Sequence, residues 1–162
     1  MKKKIIEQFE TNISEIWHLN AAEKILKASI YFQELLNDAE LKSDIVSQFT
    51  NDKNSIELLR SVKDGFILTA YTEPEGQHRS PHNHGAGWVI YGIIDGKMEM
   101  CTYEFNGKLI FKESCSLEPK DFKVYLPAQI HDTRGIAIKS IILRLTSCDL
   151  KQEEHEGRMK RF

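Results

Sequence analysis

The chain has 162 residues, of which 41% are hydrophobic and 28% charged, and its 22 basic and 24 acidic side chains leave a net charge of -2. This length suits one domain with a single hydrophobic core, so we expect residues 1–162 to form one domain. The balanced charge gives no reason to expect nucleic acid or a membrane surface as a partner.

The start of the chain and its cysteines bear on the cellular compartment. Residues 1–4 carry the positive charge of a signal peptide, but the glutamates in residues 5–10 interrupt the apolar core that a signal peptide needs. Cys101, Cys115 and Cys148 are an odd number without C-x-x-C spacing, which is typical of a reducing compartment. We therefore predict a cytoplasmic protein, with structural rather than nucleophilic cysteines.

Helical spacing dominates the first third of the chain. From residue 3 to about residue 59, apolar side chains recur every three or four positions, and there is no proline. Asn20, three residues before Glu23, provides an N-cap with a capping-box partner for one of the helices. We expect the helices of residues 1–60 to cover the outside of the domain that the rest of the chain forms.

The period changes to that of strands after Asp64-Gly65. Strand-like runs are separated by turn signals about ten residues apart, among them the predicted hairpin turns Asp95-Gly96 and Asn106-Gly107. This rhythm predicts an antiparallel sandwich or barrel over residues 64–147, followed by a charged tail at 148–162. His18 and His155 lie outside the motifs and are interpreted as surface side chains.

Two histidines near the middle of the chain indicate a metal site. In an extended strand His82 and His84 point the same way, close enough to share one ion. The best third ligand is His131, which follows a second apolar strand and Pro127. Three imidazoles leave coordination positions open, and they suit iron, zinc, copper or nickel, so ligand type alone leaves the metal open.

The same stretch resembles a known family. Gly76-Gln77-His78-Arg79-Ser80-Pro81-His82-Asn83-His84-Gly85 and the apolar run 88–96 resemble the first signature of the cupins, and most of all their thiol dioxygenase branch. Many cupins have a glutamate ligand at the position of Trp88, whereas cysteine dioxygenase lacks it and holds iron with three histidines. The resemblance covers residues 58–146 and implies a mainly β cupin barrel, a double-stranded β-helix, with Fe(2+) on His82, His84 and His131.

The resemblance also implies an activity and a substrate-binding residue. The enzymes it points to add both atoms of dioxygen to the sulfur of a small thiol and give a sulfinic acid. Their carboxylate-binding arginine precedes the first barrel strand, where Arg60 matches it here. A guanidinium suits this role because its fixed fork of donors grips a carboxylate with two parallel bonds. The alternative is a surface arginine at the end of a helix.

The last predicted strand departs from the family. Its Ser-x-His-x-Tyr set reads Ser140-Ile141-Ile142-Leu143-Arg144 here, and the cysteine that some members cross-link to the tyrosine falls at Val89. No such cross-link can form. Strand parity puts Arg144 on the face of Ser140, which makes it a second candidate for binding the substrate carboxylate. We therefore expect carboxylate-bearing thiols to be preferred over cysteamine-like thiols.

Two other functional hypotheses stay open at this point. The first is a metal-binding cupin module for small-molecule binding or sensing, in which Trp88 and Tyr91 line the pocket, although both also suit a hydrophobic core. The second is isomerase or hydrolase chemistry with another divalent metal. Oxygen uptake that depends on iron and a thiol separates dioxygenase chemistry from both.

Overall fold

The computed structural model describes residues 4–49 and 53–162. Within these ranges, three helices precede nine strands and one short helix follows them: α1 Lys4–Ile16, α2 Ala21–Asn37, α3 Ala39–Gln48, β1 Ser55–Arg60, β2 Ile67–Pro74, β3 His78–His82, β4 Val89–Asp95, β5 Met98–Phe105, β6 Leu109–Leu117, β7 Phe122–Tyr125, β8 Ile130–Gly135, β9 Lys139–Thr146 and α4 Leu150–His155. The charged start at residues 1–3 and part of the predicted helical region, residues 50–52, lie outside the described residues.

Two antiparallel sheets form the body of the fold. One has the strand order β1-β2-β9-β4-β7 and the other the order β3-β8-β5-β6. Apolar side chains of both sheets meet in an interior cluster that contains Tyr71, Val89, Met98, Met100 and Ile142. This arrangement confirms the predicted mainly β fold with helices at the N-terminal end.

The helices pack on the outer face of the five-stranded sheet. The periodic apolar residues of α1 and α2 are buried there with the outward side chains of β4 and β9. Gly92 lets α2 approach β4 closely, because a Cβ at this position would lie 2.6 Å from atoms of Phe32 and Leu36. The predicted N-cap of α2 is also present, since the Asn20 side chain accepts a hydrogen bond from the Glu23 amide at 3.0 Å.

Two sequence-based expectations need correction. Helical structure does not reach residues 59–60, because Ser55–Arg60 is the edge strand β1, where Ile56 and Leu58 alternate with exposed side chains and pack on the core. The barrel therefore begins at residue 55. Asp95-Gly96 is not a hairpin turn, since β4 and β5 belong to different sheets, whereas Asn106-Gly107 does join the paired strands β5 and β6.

The C-terminal segment, residues 149–162, is docked on the barrel. After α4 the chain runs back beside β3, where the Asn83 amide donates to the Lys160 carbonyl and the Phe162 amide to the Pro81 carbonyl. Buried Glu153 accepts from the Ala86 amide at 3.0 Å. Only part of the predicted tail is solvated, including His155, which is exposed as expected. Across the described ranges, no helix combines the length and the apolar character that a membrane crossing requires.

Candidate metal centre

The structure brings the three predicted ligand histidines together inside the barrel. His82 is the last residue of β3 and stands directly opposite His131 on β8. His84 lies two residues further along, beyond the end of the strand. The ring centroid of His131 lies 4.6 Å from that of His82 and 4.7 Å from that of His84. One candidate ligand atom from each side chain lies within 4.8 Å of the others, so the three could hold one metal ion.

The partners of the ring nitrogens fit a metal ion. His82 Nδ1 donates to the Ser80 carbonyl at 2.8 Å, which leaves its Nε2 lone pair free. Both ring nitrogens of His131 and Nδ1 of His84 are buried without a hydrogen-bond partner among the described residues. Because an unpaired buried polar atom costs free energy, a metal ion that accepts one lone pair from each ring would relieve part of the cost.

The surroundings keep the three imidazoles in the form that binds metals. Burial is the largest effect on each ring and lowers the pKa of His82, of His131 and of His84, the last to about 3. Neighbouring imidazoles lower the pKa of His84 and His131 further, since positive charges on adjacent rings would repel. Neutral imidazole is the metal-binding form, so metal binding needs little deprotonation near neutral pH.

Two tyrosines complete the surroundings of the triad. The Tyr125 ring stacks on His131 with centroids 3.9 Å apart. The Tyr91 hydroxyl lies 3.0 Å from His84 Nε2, although Tyr91 is otherwise buried in the interior cluster. From the sequence, Tyr91 suited either the hydrophobic core or the wall of the pocket. In the structure its ring packs in the interior cluster and its hydroxyl reaches the triad. Strand parity with inward Val89 was the signal that could have placed it.

Trp88 faces the opposite side of the sheet. Its ring lies 6.0 Å from that of Trp17 in the cluster beneath the helices. The interpretation of Trp88 as a core residue is therefore confirmed, and its alternative place in the pocket is wrong. The reason is the two-residue period of a strand, which turns Trp88 away from the side that Val89 and Tyr91 occupy.

A cavity of about 300 Å³ opens beside the triad, with His82 in its wall. Arg144 on β9 lines it and stands directly opposite Tyr91 on β4. The buried Nε of Arg144 has no hydrogen-bond partner, and no carboxylate oxygen of the described residues lies within 4.0 Å of its guanidinium. Arg144 is thus a cation beside the histidines without an acidic partner.

Arg60 has different surroundings. Its guanidinium donates to Glu57 through Nε and Nη2 at 3.0 and 2.7 Å, and to Asp149 through Nη1 at 2.8 Å. It lies in a separate cleft of about 240 Å³, whose lining includes Arg144 but none of the three histidines. Arg60 is therefore an ion-paired arginine on an edge strand rather than at the end of a helix.

The remaining candidates lie away from the centre. The Ser140 hydroxyl holds a backbone turn by bonding to the amide and the carbonyl of Lys97. His78 pairs with Asp132 at 2.9 Å, on the side of β8 opposite to His131. Burial raises the pKa of the Cys101 thiol and raises that of Cys148 to about 11, which agrees with the prediction of unreactive cysteines.

Comparison with known proteins shows the fold alone. No family model and no curated protein matches the sequence. The structure is similar to the cupin domain of Schizosaccharomyces pombe Cnp3, with a TM-score of 0.50 and 10% identity over 64% of this chain and 66% of that one. A cupin superfamily protein from Desulfitobacterium hafniense gives a TM-score of 0.49 and 18% identity over 64% and 88%.

An enzyme is also among the similar structures. The DMSP lyase DddQ from Ruegeria pomeroyi gives a TM-score of 0.49 and 21% identity, over 65% of this chain and 51% of that one. This chain thus spans about half the length of that enzyme and just under two thirds of the Cnp3 domain. The chain has the cupin fold, a double-stranded β-helix that carries three convergent histidines in its interior.

Proposed function

We propose that this protein holds one ferrous ion on His82, His84 and His131 and oxidises a small, carboxylate-bearing thiol to its sulfinic acid. One observation carries the proposal: Arg144 lines the same cavity as His82 and has no carboxylate partner among the described residues. A cation of this kind in a partly enclosed site favours an anionic ligand next to the metal. The resemblance to thiol dioxygenases supplies the metal and the reaction.

The overall reaction balances without a further reductant. A thiol and one molecule of dioxygen give a sulfinic acid, so that the sulfur loses four electrons and the two oxygen atoms gain them. The bound metal supplies the activation of dioxygen. Three neutral imidazoles fit this role because they leave positions open for both reactants.

The residues around the triad would bind and orient the substrate. Arg144 would hold the carboxylate through two parallel hydrogen bonds, which fixes the thiol relative to the histidines. Burial raises the pKa of the Tyr91 hydroxyl, with Arg144 opposing the effect, so Tyr91 stays protonated. With a metal ion on His84 Nδ1, the Nε2 of that ring would carry the proton and donate to the Tyr91 oxygen, which orients the imidazole. Leu150 and Met159 contribute apolar surface to the cavity wall.

Oxygen uptake tests the proposal directly. The purified full chain is loaded with Fe(2+), Zn(2+) or no metal and mixed with 3-mercaptopropionate or cysteamine, a pair that differs in the charged group. We expect uptake with iron and 3-mercaptopropionate, with cysteamine at least about tenfold slower. Absence of iron-dependent uptake with every carboxylate-bearing thiol would refute the proposed activity.

A binding module without turnover is the second candidate. It is favoured by Ile142, which places a fully buried apolar side chain where the family's histidine would relay protons. In that case the metal and a carboxylate ligand would bind without oxygen uptake.

A further inference from the structure

Arg79 is turned into the barrel by an irregularity in β3. Residues three apart on a regular strand face opposite sides, but a register shift separates Arg79 from His82. Arg79 therefore pairs with Thr133, and both residues line the cavity that contains His82 and Arg144. The sequence alone would place Arg79 on the outer surface.

The guanidinium groups of Arg79 and Arg144 both contact the ring of Tyr71. The guanidinium carbon of Arg79 is 5.5 Å from the centroid of Tyr71, and that of Arg144 is 5.3 Å from the same centroid. Such contacts with a ring face hold a guanidinium in place. The distance between the two guanidinium carbons therefore cannot exceed the sum of these two distances. Two carboxylates on a short carbon chain can bridge such a span.

Glu73 fixes Arg79 without using all of its donors. The Arg79 Nε donates to Glu73 Oε2 at 2.9 Å, and the Glu73 side chain is fully buried. A guanidinium has five N–H donors, and the terminal nitrogens of Arg79 have no hydrogen-bond partner among the described residues. The side chain is 44% exposed, so this fork of donors is open to a ligand.

The charges around the cavity favour more than one negative group. Four cationic side chains line it: Arg79, Arg144, Lys151 and Arg161. Arg79 pairs with Glu73 and Arg161 pairs with Glu154, whereas Arg144 and Lys151 form no ion pair with a described residue. The side chains alone therefore leave two positive charges in excess, before the charge of a bound metal ion is counted. A ligand with two negative charges would balance them, whereas a monoanion would leave one cation without a counter-charge.

From this arrangement we infer that the cavity is a dicarboxylate site, with one carboxylate on Arg144 beside the triad and the other on the terminal nitrogens of Arg79. This inference rests on the proposed function for the role of Arg144 and makes thiols with two carboxylates the preferred substrates among the carboxylate-bearing thiols. Arg79 is then the residue that separates dicarboxylates from monocarboxylates.

Calorimetric titration of the full chain with succinate and butyrate tests this without turnover, since the two acids have equal length and neither is a thiol. We expect succinate to bind at least about tenfold more tightly, and Arg79→Lys, which keeps the charge beside Glu73 but loses the fork, to reduce that preference severalfold. The paired change Arg79→Met with Glu73→Gln should abolish the preference. Arg134→Met, on the outer face of β8, is the matched control and should preserve it.

Equal binding of succinate and butyrate by the unaltered protein would overturn the inference, as would a preference that survives in the folded double variant. Circular dichroism establishes folding of each variant before titration. Succinate preference through Arg79 without oxygen uptake from mercaptosuccinate would refute the proposed oxidation and keep the dicarboxylate site. Oxygen uptake from 3-mercaptopropionate without any preference for succinate would refute the dicarboxylate site and keep the proposed oxidation.

Discussion

Tyr91 and Arg144 stand directly opposite each other on β4 and β9. In the family that the sequence resembles, a tyrosine of the last strand reaches the metal site, and Arg144 takes its place here. The Tyr91 hydroxyl nevertheless lies 3.0 Å from His84 Nε2. A phenol is therefore present at the centre, contributed by the neighbouring strand.

Replacing Tyr91 by Phe removes this hydroxyl and keeps the packing of the ring. We expect unchanged metal content and a fall in kcat of about tenfold or more, because the hydrogen bond at the centre is lost. Metal analysis and oxygen uptake measure the two quantities. Tyr103→Phe is the control, since the Tyr103 hydroxyl bonds to Asp132 and not to the triad. Equal kcat values for the two variants would exclude a role for Tyr91 in turnover.

Single replacement of His82, His84 or His131 by Ala should lower bound metal sharply while the barrel stays folded, because each change leaves an incomplete ligand set. Metal content after anaerobic loading and gel filtration is the measurement. His155→Ala and His78→Ala should bind a normal amount, since His155 is solvated and His78 pairs with Asp132. Full metal content in the His131 variant would remove this residue from the ligand set.

The two candidate arginines should behave differently. Arg144→Ala should raise KM for a carboxylate-bearing thiol about tenfold or more, since it removes the cation that has no acidic partner. Arg60→Ala should leave KM near normal, because Glu57 and Asp149 already bind its guanidinium. Steady-state oxygen uptake compares them. The opposite pattern would show that the family's upstream arginine keeps its role here.

The metal-free protein should lose stability as the pH falls below about 6.5, the ordinary pKa of histidine. Burial lowers the pKa of all three ligand histidines in the folded state, so the unfolded chain binds more protons in this range and the free energy of unfolding decreases with falling pH. Urea unfolding at pH 7.5 and pH 5 measures the change. A variant with Asn at all three positions should show a smaller change, and an equal one would locate the effect elsewhere.

The mainly β fold and the pair His82 and His84 could be predicted from the sequence because both depend on short-range patterns, whereas His131 was chosen from its place after a second apolar strand and from the resemblance to the cupins. The spacing of His82 and His84 and the turn at Asn106-Gly107 are visible in the order of residues. Turn chemistry, however, does not decide which strands pair, and Asp95-Gly96 joins two sheets for this reason. The strand β1 was missed because its alternation spans only a few residues beside strong helical patterns.

The inward direction of Arg79 could not be predicted in the same way. It depends on the irregularity between Arg79 and His82, which appears only in the pairing of β3 with β8. The docking of the C-terminal segment likewise depends on contacts distant in sequence, such as Glu153 with the Ala86 amide. Sequence patterns therefore identify the candidate metal ligands, but not the residues that shape the cavity beside them.

The cavity beside the triad is lined by two separate parts of the chain, the barrel and the docked C-terminal segment. Of the residues that line the cavity, His82 and both inward arginines belong to the barrel, whereas five residues belong to the segment: Leu150, Lys151, Glu154, Met159 and Arg161. Changes in the side chains of these five residues can reshape the cavity without altering the pairing of β3 with β8, which places His82 opposite His131. Replacement of these side chains is therefore a route to a cavity of different shape and charge that leaves the candidate metal ligands in place.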